Sequence, residues 1–248
     1  MLRVKLILEY DGSNYVGWQR QNNGKSIQGE IEKSLVQIFN EHIELTVAGR
    51  TDAGVHAFGQ VAHFDLKKKV IDEKKIYKAI NYFLKQNNNK ITVLSSKFVN
   101  QEFHSRFSVK RKIYLYRIHN RETNSHLLSK RVWFVPQKIT LVKMRRASKY
   151  LIGKHDFNAF RSSGCQAKQT LRTIDDISIE KENDCIEIRV KGKSFMHNQV
   201  RIIVGTLIKV GMNKLSELCV KNIINSKNRN KAGPTAPAEG LYLEKIVY

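Results

Sequence analysis

The stretch TVAGRTDAGVHAFGQVAHF, residues 46–64, puts one carboxylate where chemistry is possible. Asp52 follows Arg50 and Thr51, lies between Gly49 and Gly54, and falls at the tip of what reads as a hairpin. Short alternating apolar runs flank it on both sides. Three roles are open to such a carboxylate: turn residue, metal ligand or nucleophile. Spacing does not support a metal site. None of the eight histidines forms H-x-x-x-H or sits beside a cysteine in ligand spacing, and His56 and His63 are seven residues apart. G-R-T-D-A-G is neither a dinucleotide fingerprint nor a phosphate loop, and no G-x-S-x-G elbow occurs. The turn reading stays open, because aspartate near glycine is ordinary turn chemistry. Two features weigh against it. The loop at 49–57 is longer than a tight hairpin needs, and it gathers Arg50, Thr51, Asp52 and His56 into a few positions.

The rest of the composition sharpens the question. Lys+Arg is 44 against 22 Asp+Glu, a formal charge of +22. A globular chain this basic meets a polyanion, unless the lysines are only a solvated surface. A carboxylate facing a polyanion is repelled, so Asp52 belongs there only if its charge is used. Apolar residues make up 41% of the 248, enough for a packed core. Cys165, Cys185 and Cys219 form no C-x-x-C pair, which points to reduced thiols in a cytoplasmic protein. The opening MLRVKLILEYDG alternates too strictly for a signal peptide, and no apolar run reaches the length of a membrane span.

The elements that must position Asp52 follow from periodicity. Leu2, Val4, Leu6, Leu8 and Tyr10 alternate as a strand. Ser26 caps a helix carrying Ile27, Ile31, Leu35, Ile38 and Phe39. Ile43, Leu45 and Val47 mark a second strand, and 60–66 a third. Asp72 caps a helix with Ile76, Ile80, Phe83 and Leu84, broken at 87–89, and 91–99 is a fourth strand. The order is βαββαβ, the ferredoxin-like pattern, with Asp52 in the central ββ connection. In the second half, 109–119 reads as a strand, 140–151 as a helix ended by Gly153, and 171–180 with 184–190 as a hairpin around Glu182 and Asn183. Residues 195–210 read as a helix with Val200, Ile203, Val204 and Leu207 on one face, 215–225 as a short helix, and 241–247 as a closing strand. The same βαββαβ order thus returns, giving an α+β chain of two units, 1–104 and 105–248. Residues 225–240 read as a loop, either a solvated connector or a nucleic-acid contact.

GRTDAGVHA, residues 49–57, resembles the catalytic signature of tRNA pseudouridine synthases of the TruA type. Further blocks resemble that family in order along the chain: EYDGSNYVGWQRQ (9–21), FHSRFS (103–108), YLYRIHN (114–120), DFNAFRSSGCQAKQTLRTI (156–174), FMHNQVRIIVG (195–205) and APAEGLYL (236–243). The chain departs from the pattern at Asn198 and Gln199, where a His/Met pair is more usual, and at Ile202, often asparagine. It also lacks the proline commonly found before Arg172. These are packing and supporting positions.

The resemblance implies two α+β domains with mixed antiparallel sheets meeting at a basic cleft. It implies isomerisation of uridine at tRNA positions 38, 39 and 40 in the anticodon stem-loop, without a cofactor or metal, by a homodimer. Asp52 matches the family's catalytic aspartate, with attack at C1′, addition to the base and a glycal route all left open. Tyr114 matches the tyrosine that stacks on the target base. Tyr116 shares its strand face, and by itself reads as a core aromatic. Arg201 matches the arginine that pairs with the catalytic carboxylate. Arg50 matches the residue that enters the space left by the extruded base, with a phosphate contact as the alternative. A rival function is a catalytically silent RNA-binding protein, which has no need of Arg50, Asp52, Tyr114 and Arg201 together. A DNA-binding regulator lacks a helix-turn-helix or zinc signature.

Overall fold

The structure, a computed structural model, describes residues 1–67, 71–165 and 167–248. It is a mixed α+β fold with ten strands and five α-helices among the described residues. It divides into two compact units, Met1–Lys110 with Tyr242–Tyr248, and Arg111–Leu241.

In the first unit the order is β1 (Leu2–Tyr10), α1 (Ile27–Phe39), β2 (Thr46–Val47), β3 (His56–Leu66), α2 (Glu73–Gln86) and β4 (Ile91–Val99). The βαββαβ order read from the sequence is the observed one here. β1 lies between β4 and β3, both antiparallel to it, and β2 pairs antiparallel with β3. The β1 alternation does what its period requires: Val4, Leu6 and Leu8 are fully buried and the residues between them are not. Helix α1 begins where Ser26 accepts a hydrogen bond from the Gly29 N–H at 3.2 Å, and it ends at Asn40 in the left-handed region. Its buried stripe is Ile27, Ile31 and Leu35, while α2 buries Ile76, Ile80 and Leu84 at i, i+4, i+8. Asp72 occupies the N-cap of α2, but its side chain makes no capping bond.

Three differences from the sequence reading matter. Strand β3 starts at His56 rather than residue 60, because Tyr10 pairs with Ala57 across a β1 irregularity and Tyr242 pairs with His56 in parallel. Phe58 and Gly59 break the apolar alternation, so the extension is set by ladder partners rather than by pattern. The closing strand β10 (Leu241–Val247) therefore has a partner in the first unit, although its place in the chain suits the second half. Gly59 is needed for this approach, since a Cβ there would stand 2.8 Å from the Glu244 carbonyl oxygen. Strand β2 shrinks to two residues, with Ile43 and Leu45 buried ahead of it.

The second unit runs β5 (Arg111–His119), β6 (Trp133–Phe134), α3 (Leu141–Ser148), β7 (Gly153–Asp156), β8 (Leu171–Glu182), β9 (Cys185–Gly192), α4 (Gln199–Gly211) and α5 (Cys219–Ser226). β9 is antiparallel to both β5 and β8, β7 is antiparallel to β8, and β6 pairs with β5 in parallel. The β8–β9 hairpin turns at Asn183, left-handed at φ 50°, as the sequence marks. The helix expected over 140–151 tightens to a 3₁₀ turn after Ser148, and Gly153 then opens β7 instead of only stopping a helix. Helix α5 starts four residues later than its apolar period.

Helix α4 also starts late, at Gln199 rather than residue 195, because Asn198 adopts φ 60°. It is buried on more than the expected face: Ile202, Thr206, Ile208 and Val210 join Val200, Ile203, Val204 and Leu207. Much of the extra cover is the segment 225–240. Thr206 Oγ1 accepts from the Gly233 N–H at 2.8 Å, and Gly205 brings its backbone against the Pro234 carbonyl. The segment has two 3₁₀ turns: its start, 225–231, is mostly exposed, whereas Ala232, Gly233, Ala236 and Gly240 are packed and buried. A methyl group at Gly205 has nowhere to go. Gly205→Ala should lose about 1–3 kcal/mol in chemical denaturation, the usual cost of overpacking; a loss under about 0.5 kcal/mol would refute this account of the contact.

Candidate active site

Asp52 lies in the loop between β2 and β3, half-buried, with Arg50 and Ala53 exposed beside it. Its backbone is held from several sides. The Trp18 N–H donates to the Thr51 carbonyl at 3.0 Å, and Gly17 bridges Asp52 in antiparallel fashion. The Asp52 carbonyl accepts the Val55 N–H at 3.1 Å, closing a turn in which Gly54 has φ 78°. This part of the turn reading is correct for the backbone, and it leaves the carboxylate's chemistry open. Gly17 has φ 110°, and a Cβ there would stand 2.7 Å from the Thr51 oxygen, so both conformation and space demand glycine. The segment carrying Gly17 is itself tied to α1, through Ile27 N–H to the Gly17 carbonyl at 3.1 Å and Gln28 N–H to the Trp18 carbonyl at 3.0 Å.

Beneath the loop runs a buried polar chain. Gln60 Nε2 donates to the Gly49 carbonyl at 2.8 Å and to the Tyr10 hydroxyl at 3.2 Å. The Tyr10 hydroxyl lies 2.9 Å from Thr51 Oγ1. Either hydroxyl can donate to the other, so the chain closes whichever way the proton points. Burial pushes the Tyr10 phenol up to about 12, so it stays protonated and able to donate. The chain fixes the residues on both sides of Arg50, immediately before Asp52. His56 follows the loop, fully buried, with Nδ1 accepting the Gly12 N–H at 3.1 Å and its ring stacked on Tyr242 at 4.6 Å. Asp11 Oδ1 is 3.3 Å from the same Nδ1. His56 is therefore a structural group of the loop's base.

Tyr114 and Arg201 lie in the second unit. Tyr114 sits on β5 opposite Val190, nearly buried, and its ring meets Phe195 edge-to-face at 5.3 Å. Arg201 occupies the first turn of α4, half-buried. Its Nε donates to the Ala236 carbonyl and its Nη1 to Asn198 Oδ1, both at 2.7 Å. Two bonds from different nitrogens fix the plane of the guanidinium. Asn198 in turn donates from Nδ2 to Ser162 Oγ at 2.7 Å. Tyr116 is fully buried and donates its hydroxyl to the Pro237 carbonyl at 2.7 Å, the core aromatic its alternation implies. Burial raises its phenol well above 10, against a lowering pull from the Arg201 charge.

The structure thus brings Arg50, Thr51 and Asp52 together in one unit, and the blocks carrying Tyr114, Arg201 and 236–237 together in the other. Gln166, inside the block 156–174, lies outside the described residues. Sequence reasoning missed Tyr10, Gly17 and Gln60. Tyr10 has the strand period of a core residue, and only its hydroxyl betrays a second task. Gln60 is a fully buried amide within an apolar strand, a signal the sequence does carry. Tyr10→Phe and Thr51→Val should each destabilise by about 1–3 kcal/mol through the buried groups left unpaired. The double variant should lose less than the sum by at least about 0.5 kcal/mol in denaturant titrations. Strict additivity would mean the two hydroxyls do not share a bond.

Comparison with known proteins places this geometry. The family model described as tRNA pseudouridine synthase matches residues 6–108 and 147–248. A tRNA pseudouridine synthase A of Wolbachia pipientis wMel is 47% identical over 248 residues, covering 100% of both chains. Proteins of that name from Acetivibrio thermocellus and Anaplasma phagocytophilum are 44% and 43% identical, again over 100% of both chains. The match covers the Asp52 loop and the blocks that hold Arg201. With both blocks aligned to one family along its full length, the chain belongs to the tRNA pseudouridine synthases, isomerases that convert uridine in tRNA to pseudouridine.

Proposed function

We propose that Asp52 is the carboxylate that carries out this isomerisation, on uridines 38, 39 and 40 of the anticodon stem-loop. One observation carries the reading: Asp52 stands on a loop clamped by the Tyr10–Gln60 chain and the Gly17 bridge, in a chain of this family. The reaction breaks the N1–C1′ bond and forms C5–C1′. N1 gains a proton and C5 loses one, so atoms and electrons balance with no redox partner or group donor. A carboxylate can add to C1′, add to the base, or serve a glycal route; all three need it ionised and aimed.

The remaining roles are part of the same proposal. The ferredoxin-like α+β architecture holds a basic cleft in which Arg201 pairs with Asp52 and Tyr114 stacks on the target base. The fixed guanidinium plane of Arg201 and the braced ring of Tyr114 support these assignments. Arg50, exposed beside Asp52, enters the space left by the extruded base or holds a phosphate. The enzyme works in the cytoplasm as a homodimer with tRNA spanning both subunits. No helix among the described residues is long and apolar enough to cross a membrane.

Asp52→Asn keeps shape and removes charge. Pseudouridine formation on an unmodified tRNA transcript should fall by about 10⁴-fold or more, with tRNA affinity nearly unchanged. Turnover near wild type would end the assignment. With a formal charge of +22, affinity should fall steeply with salt, each phosphate contact adding about 0.7–0.9 to the log–log slope. A flat response would reduce the basic surface to solvated lysine. Arg201→Ala removes the cation that favours the ionised carboxylate, so the rising limb of single-turnover rate against pH should move to higher pH. A change in affinity and salt slope alone, with the pH profile unmoved, would make Arg201 a phosphate contact instead.

A further inference from the structure

The segment 103–108 carries an exposed aromatic on an unusually firm mount. Phe107 is 74% exposed, whereas Ser105, two residues earlier, is fully buried. Ser105 Oγ donates to the Thr46 carbonyl at 2.7 Å and lies 2.9 Å from His63 Nδ1, and its carbonyl accepts the Tyr248 hydroxyl at 2.7 Å. His104 Nδ1 accepts two backbone N–H groups, from Arg106 at 3.1 Å and Phe107 at 3.3 Å. That geometry needs an unprotonated ring nitrogen, and burial with nearby arginines lowers the His104 pKa in the same sense. The imidazole is thereby locked against Phe107, with centroids 4.3 Å apart and planes 33° off parallel. The Arg106 guanidinium covers the Phe107 ring at 5.6 Å.

This mount stands on one row of the sheet. Thr46, His63, Lys5 and Lys97 are directly paired neighbours across β2, β3, β1 and β4, so they share the face opposite Val4 and Leu6. Lys5 and Lys97 are like charges facing each other, an arrangement that destabilises a sheet unless an anion answers it. Lys5 also lies over Phe103 at 5.1 Å and over Tyr248 at 4.6 Å. Residues 103–110 include Arg106 and Lys110 and no acidic residue. A rigid exposed ring among cationic neighbours matches the demands of an unstacked nucleobase and its phosphate.

We infer that Phe107, with His104 and Arg106, is a stacking platform for an unpaired nucleotide of the tRNA, and that Lys5 and Lys97 receive its phosphate. This rests on the family's tRNA substrate and adds a docking point on the first unit, remote in sequence from Asp52. The test uses full-length protein and an unmodified tRNA transcript, with binding measured at several salt concentrations. Phe107→Leu should weaken affinity about 5- to 150-fold, the range that stacking on one aromatic converts to, and leave the salt slope unchanged. Phe107→Trp should bind at least as well as wild type. Lys97→Gln should lower the slope by about 0.7–0.9. Phe107→Leu binding like wild type, while wild type forms pseudouridine, would overturn the platform and leave the proposed function standing. So would a Phe107→Leu defect that sedimentation traces to loss of a dimer. A wild-type protein that neither binds tRNA nor converts uridine would overturn both.

Discussion

The role proposed for Asp52 needs a loop that does not move, and in this chain the loop is held by the hydrogen bonds below Gly49 and Thr51. A displacement of about 1 Å at a reacting group can cost a hundredfold in rate. A loop as long as 49–55 has too many soft dihedrals to hold such tolerance alone. Gln60 and Tyr10 take one backbone carbonyl and one side chain from it into a buried chain of bonds. Trp18 takes the Thr51 carbonyl on another side. Because these partners come from β1, β3 and the segment leading into α1, the position of Asp52 is referred to the whole first sheet. That is why Gly12 and Gly17 matter although neither does chemistry: a side chain at either would push the 11–26 segment off the loop backbone.

The limits of the sequence reading follow from the same logic. Elements with one buried face and one wet face were legible, because a period of 2 or 3.6 is written into the chain. β1, β4 and β10 have the expected bounds, and α1 starts at the expected cap. Elements defined by a partner were not. His56 to Gly59 are strand residues because β1 and β10 lie beside them, and β7 is four residues, GKHD, with no apolar period at all. Helix α4 is apolar nearly all round, so a one-face reading could not say where it began or what covered its other side. Asp52 itself was legible as an oddity of charge and place. The role proposed for it came from the block order along the chain, since residues 46–64 alone leave the turn reading open.

Charge is distributed so that the basic surplus remains outside. Glu32 is nearly buried, and its carboxylate accepts the Leu45 N–H at 2.9 Å and Gln28 Nε2 at 2.8 Å, tying α1 to the approach of β2. Glu30 is likewise buried, bonded to Lys33 and to Asn89. Asp65 holds Arg3 in a two-point pair at 2.7 and 2.8 Å, and the guanidinium keeps its carboxyl below the ordinary range. Acids engaged in this way screen little of the surface. The surplus of 44 Lys+Arg over 22 Asp+Glu suits a ligand with a phosphate at every nucleotide. Asp52, half-buried on a fixed loop, is the contrast.

Arg201 shows the same economy of placement at the start of α4. A cation in the first turn of a helix opposes the macrodipole, by about 0.3–1 kcal/mol at an exposed site. No acid in that turn offsets it. What holds it is geometry: Asn198, in the left-handed conformation that asparagine tolerates better than most residues, delays the helix and offers its Oδ1 to Nη1. The Ala236 carbonyl takes Nε, and the Ala236 N–H returns a bond to the Arg201 carbonyl at 3.2 Å. Dipole and guanidinium then act in the same direction, both favouring an anion beside the first turn of α4. Asparagine supplies in one side chain both the left-handed turn and the acceptor that aims the arginine.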